Sequence, residues 1–239
     1  MLSQDWSSYW TSGINQVEGW VGQGVRAPLE RIAAVQERRS IKGSVLEIGV
    51  HHGKFFIPLA MIADPETEAC VAIDVFDDQE KNIDFSGIGS RTDFQKNIDR
   101  FCTGRQVHSI TADSLSINVG EKLSLLGKFG GFRLASIDGG HTVEHTVNDF
   151  LLVQDLLVGG GVVILDDYYN PHWPGVHEGV CRLFSLGTPK LKPFCVTSNK
   201  MFLTDYTHRA VYLRDYEEQF GDHANFKKVT MFGSPVVVF

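Results

Sequence analysis

The chain has 239 residues, 43% of them hydrophobic and 21% charged, with a formal net charge of −7 at pH 7. An acidic balance argues against nucleic acid as a partner, which needs a basic surface, and no apolar run reaches the roughly 20 residues that cross a bilayer. The length suits one large α/β domain with a small appendage. The opening MLSQDWSSYW has none of the features of a secretory leader. Cys70, Cys102, Cys181 and Cys195 show no paired spacing and read as buried thiols of a cytoplasmic protein.

Residues 1–40 read as a helical extension, a lid or a subunit interface, carrying Trp6, Trp10 and Trp20. Pro28 opens its second helical run, PLERIAAVQERR. Residues 41–239 then alternate. SVLEIGV is a short apolar strand, and KFFIPLAMIA is apolar at helical spacing. ACVAIDV is a strand and RTDFQKNIDRF a helix; VHSITAD is a strand followed by a short helical stretch. FRLASID precedes the helix TVEHTVNDFLLVQDLL, and GGGVVILDD precedes GVHEGVCRLF. Apolar strands separated by helices predict a doubly wound, Rossmann-like, mostly parallel sheet covered on both faces. Seven strands are expected, closing with an antiparallel C-terminal strand, while KKVTMFGSPVVVF reads as a hairpin-like end. No repeat, linker or low-complexity tract interrupts the alternation.

Such sheets bind ligands beyond the carboxyl ends of their strands. Every strand end here carries an acid: Glu47, Asp74, Asp113, Asp138, and the pair Asp166 and Asp167. The first loop, EIGVHHGKF, has Gly49 and Gly53 in a strand-turn-helix setting. A dinucleotide would want G-x-G-x-x-G there; Glu47 replaces the first glycine and would repel a pyrophosphate. A nucleoside with a cationic end fits better. Asp74 stands where an acid accepts from ribose hydroxyls, and Asp113, with Ser114 beside it, is placed to reach an adenine amino group.

With E-x-G-x-x-x-G, an acid ending the second strand and D-S ending the third, the chain resembles the class I S-adenosylmethionine-dependent methyltransferases. Glu47, Gly49, Gly53, Asp74, Asp113, Ser114 and Asp138 are then the expected cofactor residues. Methylating an alcohol at neutral pH needs a base or a metal. Three carboxylates crowded at two neighbouring strand ends suit a hard cation, Mg²⁺ or Mn²⁺. IDGGH followed by GGGVVILDDYY further resembles the metal-dependent sugar O-methyltransferases of the macrocin type, over roughly residues 41 to 170. That resemblance implies Asp138, Asp166 and Asp167 as metal ligands and His141 as base, with a hydroxyl of a sugar, glycoside or related small molecule as acceptor. Catechol-type enzymes usually end the acid set in asparagine, so Asp167 favours the sugar type.

His141-Thr142-Val143-Glu144-His145 also spells the inverted zinc-protease signature H-x-x-E-H. That site needs both histidines within a helix, whereas His141 directly follows IDGG, in a loop or first turn. Glu144, His145 and Asp149 read as surface or supporting residues, and His51 and His52 as spacers in the cofactor loop. Asp77, Asp78 and the long polar run QEKNIDFSGIGSR form a loop of the kind that closes over a crevice. Tyr168, Tyr169, His172, Trp173 and His177 follow the acid pair and are candidate acceptor contacts; Lys200 has the reach to enter from the tail. Two other readings stay open: a metal-independent N- or phenol O-methyltransferase, and an S-adenosylmethionine-binding protein without turnover. The acceptor and the oligomeric state, with a homo-oligomer among the options, are not written in the sequence.

Overall fold

In the computed structural model, residues 2–187, 189–197 and 199–239 are described, Gln23 by its backbone alone. Among the described residues nine strands form one sheet: β1 Ser44–Ile48, β2 Ala69–Asp74, β3 Gln106–Thr111, β4 Phe132–Ile137, β5 Leu157–Leu165, β6 Leu191–Val196, β7 Met201–Asp205, β8 Lys227–Met231 and β9 Ser234–Val238. Their order across the sheet is β3-β2-β1-β4-β5-β7-β6-β9-β8. The doubly wound core matches the expectation, but the count is nine. β9 adds parallel to β6, and β8 pairs antiparallel with β9, so the closing hairpin widens the sheet. β7 is the antiparallel insertion between β5 and β6.

The α-helices of the described residues flank the sheet: α1 Gln4–Thr11, α2 Arg26–Arg38, α3 Phe56–Ile62, α4 Arg91–Phe101, α5 Val119–Phe129, α6 Val143–Leu156, α7 Pro174–Leu186 and α8 Arg209–Phe220. Their starts follow local chemistry. Ser90 Oγ caps α4 by accepting from Asp93 N, Asn118 and Glu121 close a capping box on α5, and Thr142 caps α6. α2 begins two residues before Pro28, which sits in its first turn, where no intrahelical amide bond is lost.

Alternate strand residues feed two cores. Val45, Leu134, Val162 and Ile164 join one with Phe56, Phe94 and Tyr216; Leu46, Ala135, Val163 and Leu165 join the other with Phe150, Leu156 and Val180. α1, too short to hold itself in water, is fixed by Trp6, which is fully buried and donates Nε1 to the Pro58 carbonyl, and by Tyr9, whose hydroxyl donates to Lys54 O at 2.8 Å. No described helix is long and apolar enough to cross a membrane. Because β1 to β5 are parallel, their carboxyl ends share one edge. The strand-end acids therefore meet there.

Candidate functional site

At that edge lies a cavity of about 900 Å³, lined by the loop after β1, the ends of β2, β4 and β5, segment 18–25, loop 79–89 and Lys200. Gly49 (φ +82°) turns the chain off β1 so closely that a Cβ would stand 1.9 Å from the Asp138 carbonyl oxygen. Only glycine tolerates both that backbone and that approach. Gly53 packs under the Phe94 ring, with its φ at +89°. Asp74 accepts from His51 N (2.8 Å) and Phe76 N (2.5 Å), which fixes the loops on either side of the crevice. Asp113 Oδ1 accepts from Leu115 N, and Ser114 is buried beside it.

Glu47 is almost wholly buried, and neither carboxylate oxygen has a partner among the described residues. Burial pushes its carboxyl up to about 8. An unpartnered buried carboxylate at the cavity floor fits the cationic end of a ligand. These observations are what an adenosyl ligand bearing an ammonium needs at this edge.

The second half of the site is a dense ionic network. Asp84, from loop 79–89, accepts from both the backbone N–H (2.6 Å) and the Nδ1 (2.8 Å) of His141. His141 Nε2 lies 2.9 Å from Asp167 Oδ2 and 3.9 Å from Asp138 Oδ1. Trp173 stacks on the ring at 4.3 Å and 18°. Burial alone would depress the imidazole, but its hydrogen bonds to Asp167 and Asp84, with the Asp138 charge, raise it to about 10. Asp167 is held in a left-handed backbone (φ +59°), and its Oδ1 accepts from Asn170 (2.8 Å) and Asn199 (2.7 Å). Against the cost of burial, His141, Asn170 and Asn199 hold its carboxyl well below the usual range. Asp166 accepts from Asp167 N at 2.8 Å and receives the ammonium of Lys200, which is buried and lies 4.5 Å from the Phe55 ring centre.

Asp138, His141 and Asp167 each offer one donor atom, all within 4.8 Å of one another. Asp84, Asp138, Asp166 and Asp167, set against Lys200 and a protonated His141, leave two negative charges uncompensated. The excess falls on Asp138, whose carboxyl is pushed far up by burial and the Asp166 charge. This donor set fits a divalent cation. Asp166 is the exception, one oxygen being engaged by the Lys200 ammonium.

All the cofactor and metal candidates except Gly53 line this cavity, as does His141. Of the candidate acceptor contacts only Trp173 does. Tyr168 is buried, with the Tyr169 and His177 rings against it, while Tyr169, His172 and His177 are exposed on the loop after β5 and on α7, outside the cavity lining. His145 sits inside α6, hydrogen-bonded to Thr142 and 3.4 Å from Asp113; it is buried and does not converge with His141, and Glu144 is exposed. Asp149 is buried too, not at the surface, with its carboxyl raised to about 6 by desolvation. Sequence reasoning passed over Asp84, Asn170 and Asn199, none of which carries a local signal.

Residues 46–168 match the family model described as a methyltransferase domain. No curated protein matches the chain. Among solved structures it is similar to the O-methyltransferase NovP, with a TM-score of 0.63 and 15% identity over 77% of this chain and 81% of that one. CalS11, a TDP-rhamnose 3′-O-methyltransferase of calicheamicin biosynthesis, gives a TM-score of 0.55 and 17% identity over 84% and 93%. An O-methyltransferase from Bacillus cereus gives 0.56 and 14% over 84% and 90%. At these identities the likeness is one of fold.

Proposed function

The chain belongs to the methyltransferase-domain family and is an S-adenosylmethionine-dependent methyltransferase, and from that premise we propose that it methylates a hydroxyl of a sugar, glycoside or related small molecule, with Mg²⁺ or Mn²⁺ as a second cofactor. One observation carries this reading: His141, gripped by Asp84, faces Asp167 and Asp138 at the floor of the cofactor cavity. The sugar-modifying activity of CalS11 in the same fold supports the acceptor class.

Glu47, Gly49, Gly53, Asp74, Asp113, Ser114 and Asp138 hold the cofactor; Glu47 offers its unpartnered oxygens to the ammonium and Asp74 its remaining lone pairs to the ribose. S-adenosylmethionine supplies an electrophilic methyl group on a sulfonium. Asp138 and Asp167 would hold the divalent cation, while Asp166 has one oxygen engaged by the Lys200 ammonium. Such an ion supplies Lewis acidity at the acceptor hydroxyl. Asp167 and Asp84 keep His141 protonated in the free protein, so it would serve as base from its neutral form, once the Asp167 carboxylate is taken up as a ligand. Nε2 would then accept the hydroxyl proton, the acceptor oxygen would bond to the methyl carbon, and the carbon–sulfur electron pair would leave on a neutral thioether. Asp84 accepts from Nδ1 and so turns Nε2 toward the reacting oxygen. Trp173 fixes the ring plane and walls off water on one face.

A second reading draws on Lys200. Its ammonium already neutralises Asp166, which favours a metal-independent enzyme acting on a nitrogen or an acidic phenol. Methyl transfer from labelled S-adenosylmethionine to a panel of nucleotide sugars, glycosides, catechols and amines, in Mg²⁺ and in EDTA, separates the two. The expected result is a sugar hydroxyl methylated only with the ion present, and a roughly 10²–10⁴-fold loss of kcat in His141→Ala. Phenol or amine methylation that survives EDTA would overturn it.

A further inference from the structure

We propose that Glu18, His51 and His52 form a separate cation site for a zinc-class transition metal, at the mouth of the cavity and outside the methyl-transfer machinery. The three side chains each bring one ligand atom within 4.8 Å of the other two. None belongs to the Asp138–His141–Asp167 group. The donor types differ as well: two imidazoles and one carboxylate select zinc, cobalt or nickel over Mg²⁺.

The local backbone is bent to make this possible. His51 has a φ of +51°, a left-handed conformation that is unfavourable for a non-glycine residue. It brings the two adjacent rings to 4.0 Å between centroids, tilted by 39°. His52 is 7% exposed, and its Nδ1 lies 3.6 Å from Glu18 Oε2. That separation is too long for a hydrogen bond. It is close to the edge, about 3.3 Å, that two ligands make around a tetrahedral ion with bonds of about 2.0 Å. His51 Nδ1 is buried without a partner among the described residues and faces Gly19, the residue after Glu18. A buried imidazole nitrogen left unpaired is unfavourable, and a bound ion removes that cost.

Glu18 and His51 line the cavity, so the fourth coordination position opens toward the ligand space. The ion fastens segment 18–20 to the cofactor loop. Because His51 N donates to Asp74, the clamp also steadies the carboxylate placed for the ribose.

The test is a Co²⁺ titration of the full chain in excess Mg²⁺, which keeps the acid cluster occupied. The expected signal is one equivalent of tetrahedral Co²⁺ absorption with quenching of Trp20, whose ring centre is 5.5 Å from that of His51. His52→Gln and Glu18→Gln should each weaken binding by at least about tenfold, and Asp167→Asn should leave it unchanged. Failure of the wild-type chain to bind Co²⁺ or Zn²⁺, wild-type affinity in His52→Gln and Glu18→Gln, or loss only in Asp167→Asn overturns the site. If His52→Gln does not fold, the exposed Glu18→Gln decides alone.

Discussion

Lys200→Met is the sharpest perturbation of this site. Lys200 is 3% exposed, its ammonium lies on Asp166, and burial, which works against its charge, is outweighed by Asp166, Asp138 and Glu47. Methionine fills the same volume but leaves Asp166 buried with only Asn199 and the Asp167 amide to meet its charge. Removing one partner of a buried ion pair costs about 3–5 kcal/mol. For a domain of this size, each kcal/mol shifts Tm by roughly 2–4 °C, so the melting point should fall by about 6–20 °C in metal-free buffer. The partner variant Asp166→Asn should also destabilise. The double variant should recover most of the loss, with a coupling above about 2 kcal/mol. Added Mn²⁺ should raise the melting point of Lys200→Met more than that of the wild type, because the ion takes the place of the ammonium. Calorimetry on the four proteins measures all of this. A loss below about 1 kcal/mol, or simple additivity, refutes the reasoning.

Gly49→Ala places a Cβ 1.9 Å from a backbone oxygen at a φ of +82°, so it should abolish S-adenosylhomocysteine binding; an unchanged Kd by titration calorimetry would contradict the loop geometry. Glu47, raised to about 8 by burial, holds its proton in the free protein at neutral pH and must release it when an ammonium binds. Affinity for S-adenosylhomocysteine should therefore rise with pH by up to about tenfold per unit until pH reaches about 8, then flatten. Calorimetry at pH 7 in two buffers should count about one proton released, absent in Glu47→Gln; no proton release in the wild type rules this out. Asp84→Ala removes a charge-assisted contact worth about 1.5–3 kcal/mol, so kcat should fall roughly 10- to 150-fold. The S-adenosylhomocysteine Kd should hold, and Asp84→Asn, which keeps an accepting oxygen, should restore most of the rate. Equal rates in all three would reduce Asp84 to a structural contact.

The doubly wound order and the acid at each strand end were legible in the sequence, because both follow from short-range rules. Apolar runs of strand length, the helical spacing after them and the caps at Ser90, Asn118 and Thr142 depend on neighbouring residues alone. Parallel strands then have to bring Glu47, Asp74, Asp138 and Asp166 to one edge. What each acid touches was decided elsewhere. Asp84 and His141 are 57 residues apart, and Lys200 and Asp166 are 34 apart. Contacts across such separations leave no periodic trace, since a loop's course is set by what it covers and not by its own spacing. The same holds for Tyr168, which reads as a wall for the acceptor but is buried beneath the His177 ring. Composition and periodicity fix which residues arrive at the rim; only the folded chain, by burying some charges and pairing others, determines which of them remain free to act.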